Sequence, residues 1–125
     1  MKVLVVGCGN IGSVAAEDLA KSVSSIKVVV ADKSEARAKK VAEKIGKSNV
    51  SYIQLDATNH KKVVNKLKDF NLVMGFLPGK LGYRLAEACI AAGKDLADVS
   101  YMPENPLTLN GKAVKANVTV IPECG

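Results

Sequence analysis

The 125-residue chain predicts an α/β fold: one doubly wound domain over residues 1–125, with about six parallel strands in the order 3-2-1-4-5-6. Three observations carry that expectation. Short apolar runs alternate with helical patterns from end to end, unbroken by an internal repeat, a low-complexity segment or a long linker, and strands joined through helices of this length make right-handed crossovers. Apolar residues are 48% of the chain, yet there is no Trp and only two Phe, so small aliphatic side chains dominate, as in a parallel sheet covered on both faces. Finally, Gly7-Cys8-Gly9-Asn10-Ile11-Gly12 is a complete G-x-G-x-x-G set between an apolar run and a helical pattern. Three glycines alone are a weak signal; that placement makes them specific.

The elements follow in order. Strand one is about Lys2 to Val6, and a helix runs from Asn10 to about Ser22 with Ile11, Ala15 and Leu19 on one face. Strand two is about Ile26 to Ala31. Ser34 caps a helix that reaches Ile45 and stops at Gly46. Strand three is Val50 to Leu55, and a short helix from His60 to Lys68 leads to strand four, Leu72 to Phe76. Leu77-Pro78-Gly79 breaks the chain before a helix from about Leu81 to Ala92, closed by Gly93. Strand five is Asp95 to Val99, a weak helix follows Asn105, and Val118 to Pro122 forms strand six.

The glycine motif and its surroundings point to a dinucleotide. Gly7 suits the positive φ of a tight turn, Gly9 lets the backbone approach a pyrophosphate, and Gly12 lets the helix lie against the strand. Asn10 and Ile11 belong to the helix start, where free N–H groups and the helix dipole face the anion. Asp32 stands twenty residues beyond Gly12, at the tip of strand two, where a Rossmann fold places the acid that accepts hydrogen bonds from an adenosine ribose. A 2′-phosphate there meets a like charge, which favours NAD over NADP, although Lys33, Ser34 and Arg37 lie just beyond and leave NADP possible. Ligands of such sheets bind at the carboxyl ends of the strands, so Asp56 and Ala57 after strand three, Phe76 to Gly79 after strand four, and Ser100 and Tyr101 after strand five complete the expected lining. Asp56-Ala57-Thr58-Asn59 also reads as an ordinary turn and helix cap.

Other function classes are disfavoured. Net charge is +6, but the lysines are spread over helix faces, with Glu17/Lys21, Glu35/Lys39 and Glu43/Lys47 at i,i+4 spacing and no aromatic platform for stacking bases, so no nucleic-acid partner is expected. The longest apolar stretches are strand-sized and the N-terminus enters a core strand, so neither a membrane partner nor a signal peptide is expected and a cytoplasmic location fits. Cys8, Cys89 and Cys124 include no C-x-x-C pair and are odd in number, which disfavours a disulfide framework and a metal site. Cys8, beside a helix start, is a candidate reactive thiol, though a small loop side chain is the simpler reading. His60, the one histidine, is read as a surface or helix-start residue.

The later strand ends are more specific than the glycine loop. Asp69 to Gly79 with its Leu77-Pro78-Gly79 turn, Ala86 to Lys94, the stretch Asp98-Val99-Ser100-Tyr101-Met102-Pro103-Glu104, and the closing Val118 to Gly125 resemble the saccharopine dehydrogenase family, most closely its lysine 6-dehydrogenase branch, over essentially the whole chain. The resemblance implies an N-terminal Rossmann domain of a two-domain oxidoreductase whose second domain makes homo-oligomer contacts. Its nicotinamide dinucleotide would exchange hydride with the carbon bearing the amine of an amino-acid substrate, through an imine. A later α+β domain would supply most of the substrate site and the dimer contacts; it is absent from these 125 residues, so the chain is expected to be the cofactor half of a longer enzyme, inactive alone. By the same analogy Leu77, Pro78 and Gly79 pass near the nicotinamide ribose, and Tyr101 and Met102 near the nicotinamide and the substrate nitrogen, with Tyr101 the candidate catalytic residue. Its bland counterpart is a partly buried strand-end tyrosine. No residue makes a convincing general base. Two other readings stand beside this one: a regulatory nucleotide-sensing domain of the kind that gates potassium transport, which does not usually carry the two later motifs, and a self-contained short-chain enzyme, whose Tyr-x-x-x-Lys pair is missing.

Overall fold

The computed structural model describes residues 1–125. Its elements run β1 (Lys2–Val6), α1 (Asn10–Ser22), β2 (Lys27–Asp32), α2 (Glu35–Ile45), β3 (Val50–Gln54), α3 (His60–Leu67), β4 (Leu72–Gly75), α4 (Gly79–Ala92), β5 (Asp95–Asp98), a 3₁₀ turn (Pro106–Leu109), α5 (Asn110–Ala116) and β6 (Val120–Ile121). The strands form one parallel sheet in the order β3-β2-β1-β4-β5-β6. The fold is the doubly wound arrangement that the sequence predicts.

Side chains that alternate along the central strands divide into two cores. Leu4, Val6, Val29, Ala31 and Val73 face α3, α4 and α5, with Val63, Leu67, Phe70, Leu85 and Cys89 above them. Val5, Val28 and Val30 face α1 and α2, against Ala16, Ala20, Ala38, Ala42 and Ile45. Both faces are buried, which is why β1 and β2 read as continuous apolar runs. The helices end where the chain chemistry stops them: Ser34 Oγ accepts from the Arg37 N–H (3.2 Å) at the start of α2, Asn59 Oδ1 accepts from the Lys62 N–H (3.2 Å) at the start of α3, and Gly46 and Gly93 take left-handed conformations at the ends of α2 and α4.

Several element ends shift by one residue from the sequence expectation, and three larger differences have a physical reason. The fully buried residues of α1 are Gly12, Ala16 and Ala20, and of Ile11, Ala15 and Leu19, which share a face by spacing, Leu19 packs in part against the core. Ile11 is 68% exposed, because only a stripe of the smallest residues lets the helix lie flat on the sheet. Helix α4 begins at Gly79, earlier than the expected Leu81, because Pro78 occupies the N-cap with φ −55 and ψ 146, where its fixed φ and missing N–H cost nothing. Strand β6 keeps only Val120 and Ile121. Val118 is withheld because its N–H bonds the Ala113 carbonyl (3.0 Å) to close α5, and Pro122 has no N–H to extend the ladder.

Candidate dinucleotide-binding site

The carboxyl ends of β1, β2, β4 and β5 meet at one edge of the sheet, and β1 and β4 are the neighbours between which the chain changes direction. In an open α/β sheet this switch point opens the ligand crevice. Gly7 leaves β1 with φ +102, its N–H bonded to the Ala31 carbonyl (2.8 Å), and a Cβ there would press to 2.6 Å on the Phe76 carbonyl. A Cβ on Gly12 would collide with the Gly7 carbonyl. Packing therefore dictates both outer glycines. Gly9 differs: its backbone is extended (φ −73, ψ −168), it caps α1 without a side-chain hydrogen bond, and a Cβ on it would meet nothing. The first N–H groups of α1, from Asn10, Ile11 and Gly12, have no intrahelical acceptor and no acid in their turn. Gly9 leaves the approach to them bare, as an anionic group requires.

Asp32 ends β2 with its side chain 10% exposed. Its Oδ2 accepts from the Cys8 N–H and its Oδ1 from the Ser34 N–H, both at 2.9 Å, and the Arg37 guanidinium lies 3.8 Å from Oδ1. The carboxylate thus ties the glycine loop to the start of α2 and holds a fixed orientation, with remaining lone pairs free to accept from a ribose. Cys8 is buried, its thiol turned to the Ala31 carbonyl (3.6 Å). Burial, then the nearby Asp32 charge, pushes that thiol up to about 11 while Arg37 opposes, so Cys8 is a packing residue rather than the reactive thiol its helix-start position suggested.

Farther along the rim, Lys33 is exposed and its carbonyl accepts from Gln54 Nε2 (3.1 Å). Asp56 Oδ1 accepts from the Thr58 hydroxyl (2.6 Å) and the Thr58 N–H (2.9 Å) in the turn ahead of α3, with Ala57 half-buried inside it. Those two bonds, the hydroxyl first, hold the Asp56 carboxyl below its usual range, with Lys33 and Lys62 adding to the effect and the small desolvation opposing it. Asp56 is therefore an exposed acid already engaged in its own turn. His60 is exposed in the first turn of α3.

At the other end of the crevice, Phe76 donates its N–H to the Val6 carbonyl (2.8 Å), and Leu77, Pro78 and Gly79 turn directly into α4. Gly79 lies against the Tyr101 carbonyl, too close for any Cβ. Ser100 is buried, and its hydroxyl is spent on Asp98 rather than offered to the crevice. Tyr101 is 82% exposed, not the partly buried tyrosine of the bland reading. Sequence reasoning assigned no role to Asp98, which is 0% exposed and accepts at Oδ1 from the Ser100 N–H (2.6 Å) and hydroxyl. The signal was present as an acid at a strand end with Ser two residues on, the pattern of a side chain that folds back on its own turn.

An uncapped helix start, a bare middle glycine and an oriented acid at the second strand define a dinucleotide-binding Rossmann domain. Comparison with known proteins gives the family: residues 3–121 match the family model described as the saccharopine dehydrogenase NADP binding domain, and the chain belongs to that family. The alpha-aminoadipic semialdehyde synthase of Arabidopsis thaliana is 27% identical over 142 residues, which span 98% of this chain and 13% of that protein. The carboxyaminopropylagmatine dehydrogenase of Synechocystis is 31% identical over 102 residues, 79% of this chain and 25% of that protein. The apo saccharopine dehydrogenase (L-Glu forming) of Saccharomyces cerevisiae superposes with a TM-score of 0.86 at 27% identity, over 99% of this chain and 27% of that one. The chain thus spans a quarter or so of these proteins, or less. No helix is long and apolar enough to cross a membrane.

Proposed function

We propose that this chain is the cofactor-holding domain of a dehydrogenase that moves hydride between a nicotinamide and the carbon bearing the nitrogen of an amino-acid-derived substrate, and that it prefers NAD to NADP. The observation that carries the reading is the contrast among the three glycines: packing requires Gly7 and Gly12, whereas the fold itself makes no demand on Gly9. At the start of a helix that follows a strand, a residue without a side chain where there is room for one leaves the backbone N–H groups open to a ligand. The dinucleotide supplies the hydride chemistry. The chain's own residues bind and orient it: the α1 N–H groups face the pyrophosphate, Asp32 accepts from the adenosine ribose, and Leu77 to Gly79 with Tyr101 border the nicotinamide end. No group here offers itself as a proton acceptor in the crevice, which supports a second domain as the source of the amino-acid site and of any dimer contacts. The exposure of Tyr101 beside Gly79 supports a role for it in meeting a substrate held by that second domain.

The NAD preference rests on Asp32. Its charge faces any 2′-phosphate, and Arg37 is already drawn to the same carboxylate. Calorimetric titration of NAD and NADP tests both parts of the reading. Asp32→Ala is expected to weaken NAD more than NADP. A parent chain that prefers NADP would remove Asp32 from the ribose assignment, and a Gly9→Ala chain that keeps full affinity would remove the pyrophosphate from α1.

A further inference from the structure

Asp98 is the one buried acid of the molecule, and its Oδ2 has no hydrogen-bond partner. Leaving a buried carboxyl oxygen unsatisfied is costly, and an apolar side chain could fill the same space. Two glycines on neighbouring elements nevertheless make room for the acid and its partner. A Cβ on Gly75, at the end of β4, would overlap Oδ2, and a Cβ on Gly82, in α4, would overlap the Ser100 hydroxyl. What the acid supplies in return is a pair of bonds at Oδ1, from the Ser100 N–H and the Ser100 hydroxyl. They fix the turn at which the chain leaves β5, and one residue later the Tyr101 carbonyl sits against Gly79 in the first turn of α4. Its main chain is anchored too: the Val99 N–H bonds the Gly75 carbonyl (3.1 Å), and the Asp98 carbonyl accepts from the Cys124 N–H (2.9 Å).

We propose that Asp98 is a positioning residue for the nicotinamide end of the site: by holding Ser100 it sets the β5 loop against Leu77–Gly79 and fixes the gap that the nicotinamide half of the ligand enters. The inference rests on the dinucleotide reading above, and it separates from that reading by distance. Asp32 and Asp98 end strands three places apart in the sheet, about 14 Å at the usual strand spacing. A change confined to the β5 turn therefore leaves the adenosine half of the site untouched.

The experiment compares NADH with ADP-ribose, which lacks the nicotinamide, by titration of the parent chain, Asp98→Ala, Asp98→Asn and Ser100→Ala, with circular dichroism on each. In the parent, NADH binds about fivefold more tightly than ADP-ribose, the difference that the nicotinamide-end contacts supply. In Asp98→Ala that ratio falls to about one while the ADP-ribose constant changes by less than about twofold. Asp98→Asn keeps an acceptor at Oδ1 and restores the ratio. Ser100→Ala, which removes one of the two bonds without emptying the core, lowers the ratio part of the way and decides the matter if Asp98→Ala does not fold. An equal loss of both ligands in a folded variant, or an unchanged ratio in the folded Ala variants, would overturn the proposal, as would a parent that binds NADH no better than ADP-ribose. If the parent binds neither ligand, the dinucleotide reading itself falls, and the positioning role with it.

Discussion

The three glycines of the loop have one residue type and three different reasons for it. Gly12→Ala drives a methyl into the Gly7 carbonyl, a backbone atom that cannot step aside, so a loss of about 1–3 kcal/mol or more in urea unfolding is expected. At Gly9 the φ of −73 suits alanine and there is free space. Alanine is a poorer N-cap than glycine by up to about 1 kcal/mol, but it stiffens the unfolded chain by a similar amount, so Gly9→Ala should unfold within about 0.5 kcal/mol of the parent while losing dinucleotide affinity. Asp32 carries a less obvious prediction. Each of its oxygens accepts a backbone N–H, so Asp32→Asn must turn an NH₂ toward the Cys8 or the Ser34 N–H. The substitution that looks mildest is expected to cost about 1–3 kcal/mol, by the same unfolding assay. The positive φ of Gly7 and the close packing at Gly12 were legible in the sequence, and spacing alone suggested a ligand role for Asp32, but nothing there shows that the acid also pins the loop. Cys8 was ambiguous for the same reason: adjacency to a helix start argued for a low thiol pKa, and only burial decided otherwise. Its folded value lies above its unfolded one, so its contribution to stability is complete below about pH 9 and is lost as pH rises toward about 11. The difference in urea midpoint between the parent and Cys8→Ala should shrink across that window, and a difference that grows there would contradict the burial assignment.

At the scale of elements, strands and helices were readable because the core strands are short apolar runs and two helices, α2 and α4, carry stop signals at Gly46 and Gly93. The errors fell where a rule about one residue met a constraint from another element. Pro78 was read as a breaker, yet it is the cap of α4. Ile11, Ala15 and Leu19 share a face by their spacing, but contact with the sheet selects smallness: Gly12, Ala16 and Ala20 are fully buried, Leu19 packs only in part against the core and Ile11 is exposed. The edge strand was overextended because nothing in Val118 reveals that its N–H is already engaged with α5. Pairing predicts the order of amide exchange: β1, bonded on both sides along its length and filled by Leu4, Val5 and Val6, should be slowest, and β6, paired through two residues on one side, fastest among the strands. Hydrogen-exchange mass spectrometry checks the ranking, and slow exchange at Val120 and Ile121 would contradict it.

For the whole molecule, the glycine loop and the second-strand acid could be located from sequence because both are tied to fixed places in a doubly wound sheet. The strand-end rule put Phe76–Gly79, Ser100 and Tyr101 in the expected lining and only resemblance suggested a nicotinamide role for them, while the contacts among Asp98, Gly75, Gly79 and Gly82 were not legible because these residues are scattered in the chain and meet across three elements. A crevice bordered on one side by this sheet does not by itself hold an amino acid within reach of a nicotinamide, and a misplacement of about 1 Å can cost about a hundredfold in rate. The 125-residue chain supplied with NAD and lysine or saccharopine is therefore expected to form no NADH above background at 340 nm. Formation proportional to chain concentration would place a sufficient catalytic group within it, Tyr101 first.

The alanine stripe beneath α1 makes that helix a lever. Thirteen residues give a rod of about 20 Å, seated on the sheet by Gly12, Ala16 and Ala20 and ending in the free N–H groups proposed above to face the pyrophosphate. A wedge under the far end, Ala20→Leu, should tip the rod about its middle and displace its tip, so a substitution remote from any ligand contact would be scored in a screen as a binding mutant. Drift at positions 16 and 20 is then constrained by the mechanics of the tip as well as by the volume of the core, and sequences that enlarge one of these residues should compensate on the strand beneath, at Val5, Val28 or Val30, rather than in the loop.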